Sequence, residues 1–478
     1  MVAIMNRKKI FLNASYLFVG NVLSRFVSAI ATIFVARYLG AEDYGLLGVA
    51  LALAAITSYF SDLGLTHTLI REATKPNADI RVLISSFFRI RLILGGIITL
   101  LSLIFIRMLY VDEYFRFVLY WVVIPSIWGA VLQSVGIVFF QVIQQMQYMA
   151  LIRVITGFIT AGALFLGIFC KWPLTYLAPV YGLSSIFGGC IGFLMVIFRL
   201  GSLQGWNPLI LKGMVSFTIG SFIIILLPQI SPLLLERVTD LKQVGYFVAA
   251  YRIPSVLYLV PGTVASAFYP VLFEYGNRQL KEEHYKLVKL ELKVMSTLGI
   301  TMALPFFVYP EWWVQILFGS EWLEATPIFQ LLSLIVILQS LNYPLADALT
   351  TRGWQKYRTL ILTIALLMSG ILYLFAGERW GAFGGAVAAI AVECILLLGF
   401  SMVFPKGWRA LFTGTWRNIF VFIIVLLIMT SAESFHVHPI FIVIFSPLLF
   451  IFTIILVDRS LRINLFSQWK HIKRHIRI

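Results

Sequence analysis

Arg25 stands near the middle of an apolar stretch at 10–36, and Asn21, Ser24, Ser28 and Thr32 surround it at steps of three and four. On a helix those positions share one face. A charge inside a hydrophobic helix is costly and turns toward a cavity or a partner. A polar stripe with a central guanidinium suits the wall of a water-filled cavity, and a guanidinium binds phosphate in a forked geometry. The alternative is a structural pairing with an acid on another helix. Arg252, followed by Ser255, Gly262, Thr263 and Ser266, makes a second such face. Gln229 and Ser231 sit beside Pro228 and Pro232, and Glu236-Arg237 ends that stretch; a bent helix there opens polar backbone to a cavity. The predicted substrate-binding set is therefore Arg25, Arg252, Asn21, Ser28 and Gln229.

Three acids are candidates for ion coupling or gating. Asp62 closes the second apolar stretch, where it gates, caps or couples an ion. Asp347 shares a stripe with Gln330, Ser333, Ser340, Pro344 and Thr351, and Glu393 lies in a helix rich in small residues (Gly384, Gly385, Ala386, Ala389). A carboxyl buried there is protonated, paired with arginine, or a proton or sodium site. Other intramembrane cations (Arg89, Arg91, Arg153, Lys293) are expected to snorkel to the membrane surface. No catalytic residues stand out. No histidine or cysteine spacing fits a metal, no phosphate-binding loop of the ATPase type occurs, and no cofactor is expected.

The elements that must hold these residues are membrane helices. Of 478 residues, 60% are hydrophobic and only 12% charged, which places the chain among integral membrane proteins. Fourteen hydrophobic segments are expected, near 10–36, 44–66, 83–107, 117–139, 148–169, 176–198, 213–235, 244–272, 293–317, 325–349, 358–377, 381–404, 418–432 and 438–457. The eighth carries three prolines and is expected to break or bend. Lys and Arg crowd one alternate set of loops (Arg71, Lys75, Arg278, Lys281, Arg352, Lys406 and the C-terminal tail) and are sparse in the other (Arg37, Arg107, Lys171, Arg379). That bias places both termini in the cytoplasm and accounts for most of the net charge of +16, without invoking nucleic acid. The N-terminal run leads into the turn described next rather than to a cleavage site, so it is not expected to be a signal peptide. The loops 200–212 and 273–293 are either amphipathic helices lying on the membrane or plain solvated loops. Cys170, Cys190 and Cys394 are expected to be small buried hydrophobes. Trp312, Trp313, Trp322 and Trp380 are expected in an interfacial belt rather than under a sugar.

Ala-Arg-Tyr-Leu-Gly-Ala-Glu-Asp-Tyr-Gly at 36–45, Asp-Leu-Gly-Leu at 62–65 and Ile-Arg-Glu-Ala-Thr-Lys at 70–75 read as a helix end, a tight turn, a second helix and a charged exit. This combination resembles the N-terminal signature of polysaccharide-biosynthesis membrane proteins, the Wzx-type flippases of the multidrug/oligosaccharidyl-lipid/polysaccharide (MOP) exporter superfamily. A faint repeat at an offset of two hundred pairs Gly20, Ile30, Arg37, Gly45 and Ala50 with Gly220, Ile230, Arg237, Gly245 and Ala250. With the resemblance it implies an all-α polytopic fold: a six-helix lobe at 1–200, a linker at 201–212, a second lobe at 213–405, a central cavity, and an extra helix pair with a basic tail at 406–478. The resemblance implies a flippase of the bacterial inner membrane, not an enzyme, that moves undecaprenyl-diphosphate-linked oligosaccharide by alternating access for lipopolysaccharide, O-antigen, capsule or exopolysaccharide. Its partners would be membrane lipids, the polymerase and the chain-length machinery. Two rivals stand: a multidrug or cation antiporter of the same superfamily, and a membrane enzyme such as a polymerase.

Overall fold

The computed structural model describes residues 7–75, 78–212, 214–434 and 438–458. Every regular element among them is helical: α1 (Arg7–Phe60), α2 (Leu65–Ala73), α3 (Ile80–Leu109), α4 (Glu113–Val142), α5 (Met146–Phe169), α6 (Leu174–Leu200), α7 (Met214–Leu235), α8 (Leu241–Leu257), α9 (Leu259–Asn277), α10 (Lys281–Val308), α11 (Pro310–Leu317), α12 (Thr326–Ser333), α13 (Ile335–Thr351), α14 (Gln355–Val403), α15 (Gly407–Ser434) and α16 (Pro439–Val457). Eleven helices among the described residues are long and apolar enough to cross a membrane. Fourteen separate segments were expected. The first two instead run on as one helix bent at Gly40, the eleventh and twelfth as one bent at Trp380–Gly381, and Phe222–Leu235 is apolar but shorter. The expected turn at 36–45 is thus a kink at a single glycine (φ 77°) rather than a loop, since only a residue without a side chain adopts that conformation cheaply. The prolines of the eighth segment do break it, into α8 and α9 either side of Tyr258.

The chain forms two units, one of 1–252 with 369–385 and one of 253–368 with 386–478. In the first, α3 shows how sequence sets packing. Leu83, Ile84, Phe87, Ile90 and Arg91 are buried at helical spacing, whereas Ile93, Ile97, Leu100, Leu101 and Ile104 are exposed on the other side. Both faces are apolar because the outer one meets lipid, not water. Small residues let α4 and α6 touch: a Cβ on Gly182 would lie 2.0 Å from the Trp121 carbonyl. The repeat glycines lie on a reciprocal crossing. A Cβ on Gly45 would fall 2.0 Å from the Leu241 carbonyl, one on Gly245 would fall 1.8 Å from the Ala41 carbonyl, and Gly48 packs on Val248. Residues 41–48 and 241–248 therefore approach each other closely, each glycine against the other segment's backbone.

In the second unit, α10 packs against the C-terminal pair through Ile300, Leu304, Val421, Val425, Phe450 and Ile454. Lys293 is not a snorkelling residue, contrary to expectation. It is buried and its Nζ lies 2.7 Å from the Asp458 carboxylate, which also meets Arg417 at 3.1 Å. The partner lies 165 positions away, beyond any local pattern. Residues 273–293 form no separate surface helix: they complete α9 and begin α10. Residues 200–212 hold only a 3-10 turn at Pro208–Leu211, with Ile210 buried. Trp322 packs on Phe318 and is buried, so it does not belong to an interfacial belt; Trp380 is exposed. The cysteines are not buried either: Cys170 is exposed and the other two are half-buried. In a membrane protein an apolar side chain gains nothing by leaving the lipid, so hydrophobic type does not imply burial.

Candidate functional site

Arg252 reaches from α8 to α1. Its Nε donates to Thr32 Oγ1 at 2.9 Å and an Nη donates to Ser28 Oγ at 3.3 Å. Buried Tyr44 also hydrogen-bonds Thr32. Helical spacing places Ser28 and Thr32 one turn apart on the face that meets α8. Ser28, Thr32 and Arg252 line a cavity of about 350 Å³ together with Ser58, Thr160, Tyr181 and Gln229. No carboxylate is among its described lining residues. The two hydroxyls orient the guanidinium, whose forked donors suit an anion.

The cavity brings together three members of the predicted binding set, Ser28, Gln229 and Arg252, and leaves two outside. Asn21 accepts a hydrogen bond from the Arg153 guanidinium, and Ser24 Oγ donates to the Arg153 carbonyl at 3.1 Å, so that end of the stripe ties α1 to α5. Arg153 is therefore held between helices, not snorkelling as expected. Arg25 is exposed and makes no hydrogen bond or ion pair among the described residues. No acid among those residues takes up the structural alternative.

Asp62 lies in the break between α1 and α2, where Leu63 (φ 45°) and Gly64 (φ 75°) are left-handed. Its carboxylate accepts from Thr66 Oγ1 at 2.8 Å and stands 3.5 Å from an Arg91 Nη. Arg91 was expected to snorkel; it is 3% exposed and donates to Ser61 Oγ, Ser134 Oγ and the Ala130 carbonyl at 3.0–3.1 Å. Four acceptors from two segments, the α1–α2 break and α4, satisfy a guanidinium that hydrocarbon would not tolerate alone. Arg89 is exposed.

Glu393 accepts from Gln339 Nε2 at 2.9 Å and Asn342 Nδ2 at 2.8 Å, amides rather than an arginine. Asp347 is buried, 4.0 Å from an Arg358 Nη. A fourth acid escaped the sequence reading. Glu291 on α10 is fully buried, neither carboxyl oxygen has a hydrogen-bond partner among the described residues, and it interacts electrostatically with Asp347. Lys286 and Lys289 disguised it as part of a charged connection; its position three residues beyond Val288 and seven beyond His284, on a buried helical face, was the available signal.

The fold is similar to that of a solved lipid II flippase MurJ in its inward closed conformation (TM-score 0.72, 16% identity, 92% of this chain and 99% of that one). It is also similar to an inward-facing multidrug resistance MATE family transporter of the MOP superfamily (TM-score 0.63, 14% identity, 79% and 95%). Fold and site thus define a polytopic, all-helical membrane protein with a transporter architecture. Two Escherichia coli (strain K12) proteins are each 22% identical to it: one named as an O-antigen transporter, over 76% of this chain and 89% of that one, and the lipopolysaccharide biosynthesis protein WzxC, over 82% and 84%. Residues 10–276 match the family model described as polysaccharide biosynthesis protein, and the chain belongs to that family.

Proposed function

We propose that this chain is a flippase for undecaprenyl-diphosphate-linked oligosaccharide. The observation that carries the reading is the cavity of a family member in which Arg252 is held by Ser28 and Thr32 with no lining carboxylate. A diphosphate crossing hydrocarbon unaided is prohibitive, because each charge loses its hydration. A guanidinium among hydroxyls replaces that hydration, while the polyprenyl tail stays in lipid. Arg25, exposed and without an acidic partner among the described residues, is a further phosphate contact outside the cavity, on the α1 face where Asn21 accepts from Arg153.

The relatives support this reading by name: an O-antigen transporter, a lipopolysaccharide biosynthesis protein and, in fold, a lipid II flippase. Transport proceeds by alternating access, without covalent chemistry on the chain. Asp62, Asp347 and Glu393 are the ion-coupling or gating groups, Asp62 by holding the α1–α2 break through Arg91. The location is the bacterial inner membrane with both termini cytoplasmic, alongside the polymerase and chain-length machinery. The test is headgroup translocation of a short polyprenyl-diphosphate sugar in proteoliposomes. Protein-dependent translocation supports the flippase. Elongation or consumption of the lipid, with no translocation, would replace it with an enzyme.

A further inference from the structure

A second polar cavity lies wholly within the unit of 253–368 and 386–478. It measures about 250 Å³ and is lined by Tyr275, Gln279, Lys281, His284, Arg352 and Trp354. At ~30 Å³ per water, that is the space of about eight waters, enough for a phosphate bearing a small substituent. Two turns build it, one between α9 and α10 and one between α13 and α14. They are fixed against each other at Gly276, where a Cβ would lie 2.0 Å from the Thr351 carbonyl.

The hydrogen bonds orient the cations in advance. Arg352 Nε donates to His284 Nδ1 at 3.2 Å, so that nitrogen carries no proton; Nε2 then donates to Thr351 Oγ1 at 2.8 Å, and Thr351 donates to the Asp347 carbonyl. An Arg352 Nη donates to the Lys281 carbonyl at 3.2 Å, and its guanidinium carbon stacks 4.8 Å from the Phe404 ring. Neither Arg352 nor Lys281 forms an ion pair among the described residues. Glu282, the carboxylate that acts on Arg352, pairs with Lys406 at 3.4 Å. Burial, only partly offset by Glu282, holds the Arg352 guanidinium below its usual range. Lys281 also opens α10, whose amino end adds the positive end of a helix dipole.

We propose that this pocket binds a phosphate ester, gripped by Lys281 and Arg352 with Gln279 as a further donor. The shared chemistry is a phosphate on a small polyol, which an anionic phospholipid headgroup or a soluble phosphate ester can supply. The site is separate from the Arg252 cavity, and its test does not depend on translocation.

The full chain is placed in nanodiscs of phosphatidylcholine for the soluble arm, and glycerol 3-phosphate is titrated by calorimetry. For the lipid arm, nanodiscs contain phosphatidylglycerol, and retained lipid is counted by native mass spectrometry. Lys281→Gln is expected to weaken the bound probe about tenfold, as loss of one charged phosphate contact does. Lys281→Arg is expected to retain binding, and Lys286→Gln, an exposed change outside the pocket, to leave it unaltered. The Lys281 side chain makes no hydrogen bond or ion pair among the described residues, and its carbonyl, which Arg352 uses, survives the substitution, so the fold is expected to persist, and a melting curve checks this. Loss in the soluble arm assigns the site to a free ester; loss in the lipid arm alone assigns it to a headgroup. Absence of binding in both arms, or binding that Lys281→Gln leaves intact, overturns the proposal.

Discussion

Gly245→Ala tests the helix crossing on which the first unit is built. The new Cβ would stand 1.8 Å from the Ala41 carbonyl oxygen, a backbone atom with nowhere to rotate. Ordinary contact needs roughly 3.5 Å, so α8 and α1 must part by well over 1 Å. That shift also loosens the Gly48–Val248 contact. Overpacking of this kind costs about 1–3 kcal/mol, and more where backbone must move. Alanine's better helix propensity returns about 1 kcal/mol. The clash wins, and the net loss is about 2 kcal/mol. Gly96→Ala is the control: it lies inside α3 with nothing within 4 Å of an added Cβ, so only the propensity gain applies. Thermal unfolding in detergent, followed by intrinsic fluorescence, should show Gly245→Ala melting several degrees below the intact chain and Gly96→Ala at or above it. Gly45→Ala should behave like Gly245→Ala because the contact is reciprocal. The double variant should cost less than the sum, since one separation relieves both clashes. If Gly245→Ala were as harmless as Gly96→Ala, the crossing would not be as close as described.

Asp458→Ala should destabilise the second unit by about 3–5 kcal/mol, because it leaves Lys293 buried without its counter-charge. Lys293→Met with Asp458→Leu should recover most of that loss, as read by the same melting assay; no recovery would mean that the pair is not what Asp458 contributes. Burial outweighs the Arg237 guanidinium at 3.3 Å and holds Glu236 above the usual carboxylate range. The folded protein therefore grips that proton more tightly than the unfolded chain, so the group adds stability below pH 4.5 and loses it as pH rises through the raised value. Glu236→Gln should flatten melting temperature against pH between 4.5 and the raised value and raise it at neutral pH; an unchanged slope there would contradict the assignment.

The sequence showed the helical class, most of the segments and the proline break of the eighth, because hydrophobic runs and prolines are local signals; it read Gly40 as a turn, and neither the continuity of the first two segments nor that of the eleventh and twelfth was visible in it. It also placed Ser28, Gln229 and Arg252 in one site, since intramembrane polarity has few destinations. It misread Arg91, Lys293 and Arg153 as snorkelling. Each is satisfied by groups on remote helices (Ser134 and Ala130, Asp458, Asn21), and pairing across a bundle leaves no mark in local spacing. Asn21 shares a helical face with Arg25, yet it serves a contact between α1 and α5. Periodicity identifies a face but not what the face meets. Trp322 failed for a related reason: an aromatic near a segment end can turn inward as readily as to the interface.

The most direct test of the account compares the intact chain with Arg252→Ala and Arg252→Lys in the proteoliposome translocation assay. Removing charge-assisted contacts worth about 1.5–3 kcal/mol should slow headgroup translocation about 10- to 100-fold. Lysine should restore it only partly, because a point charge cannot reproduce the fork that Ser28 and Thr32 hold. The melting temperature of each variant separates a lost contact from a lost fold. Translocation by well-folded Arg252→Ala at the rate of the intact chain would contradict the claim that this cavity carries the phosphates.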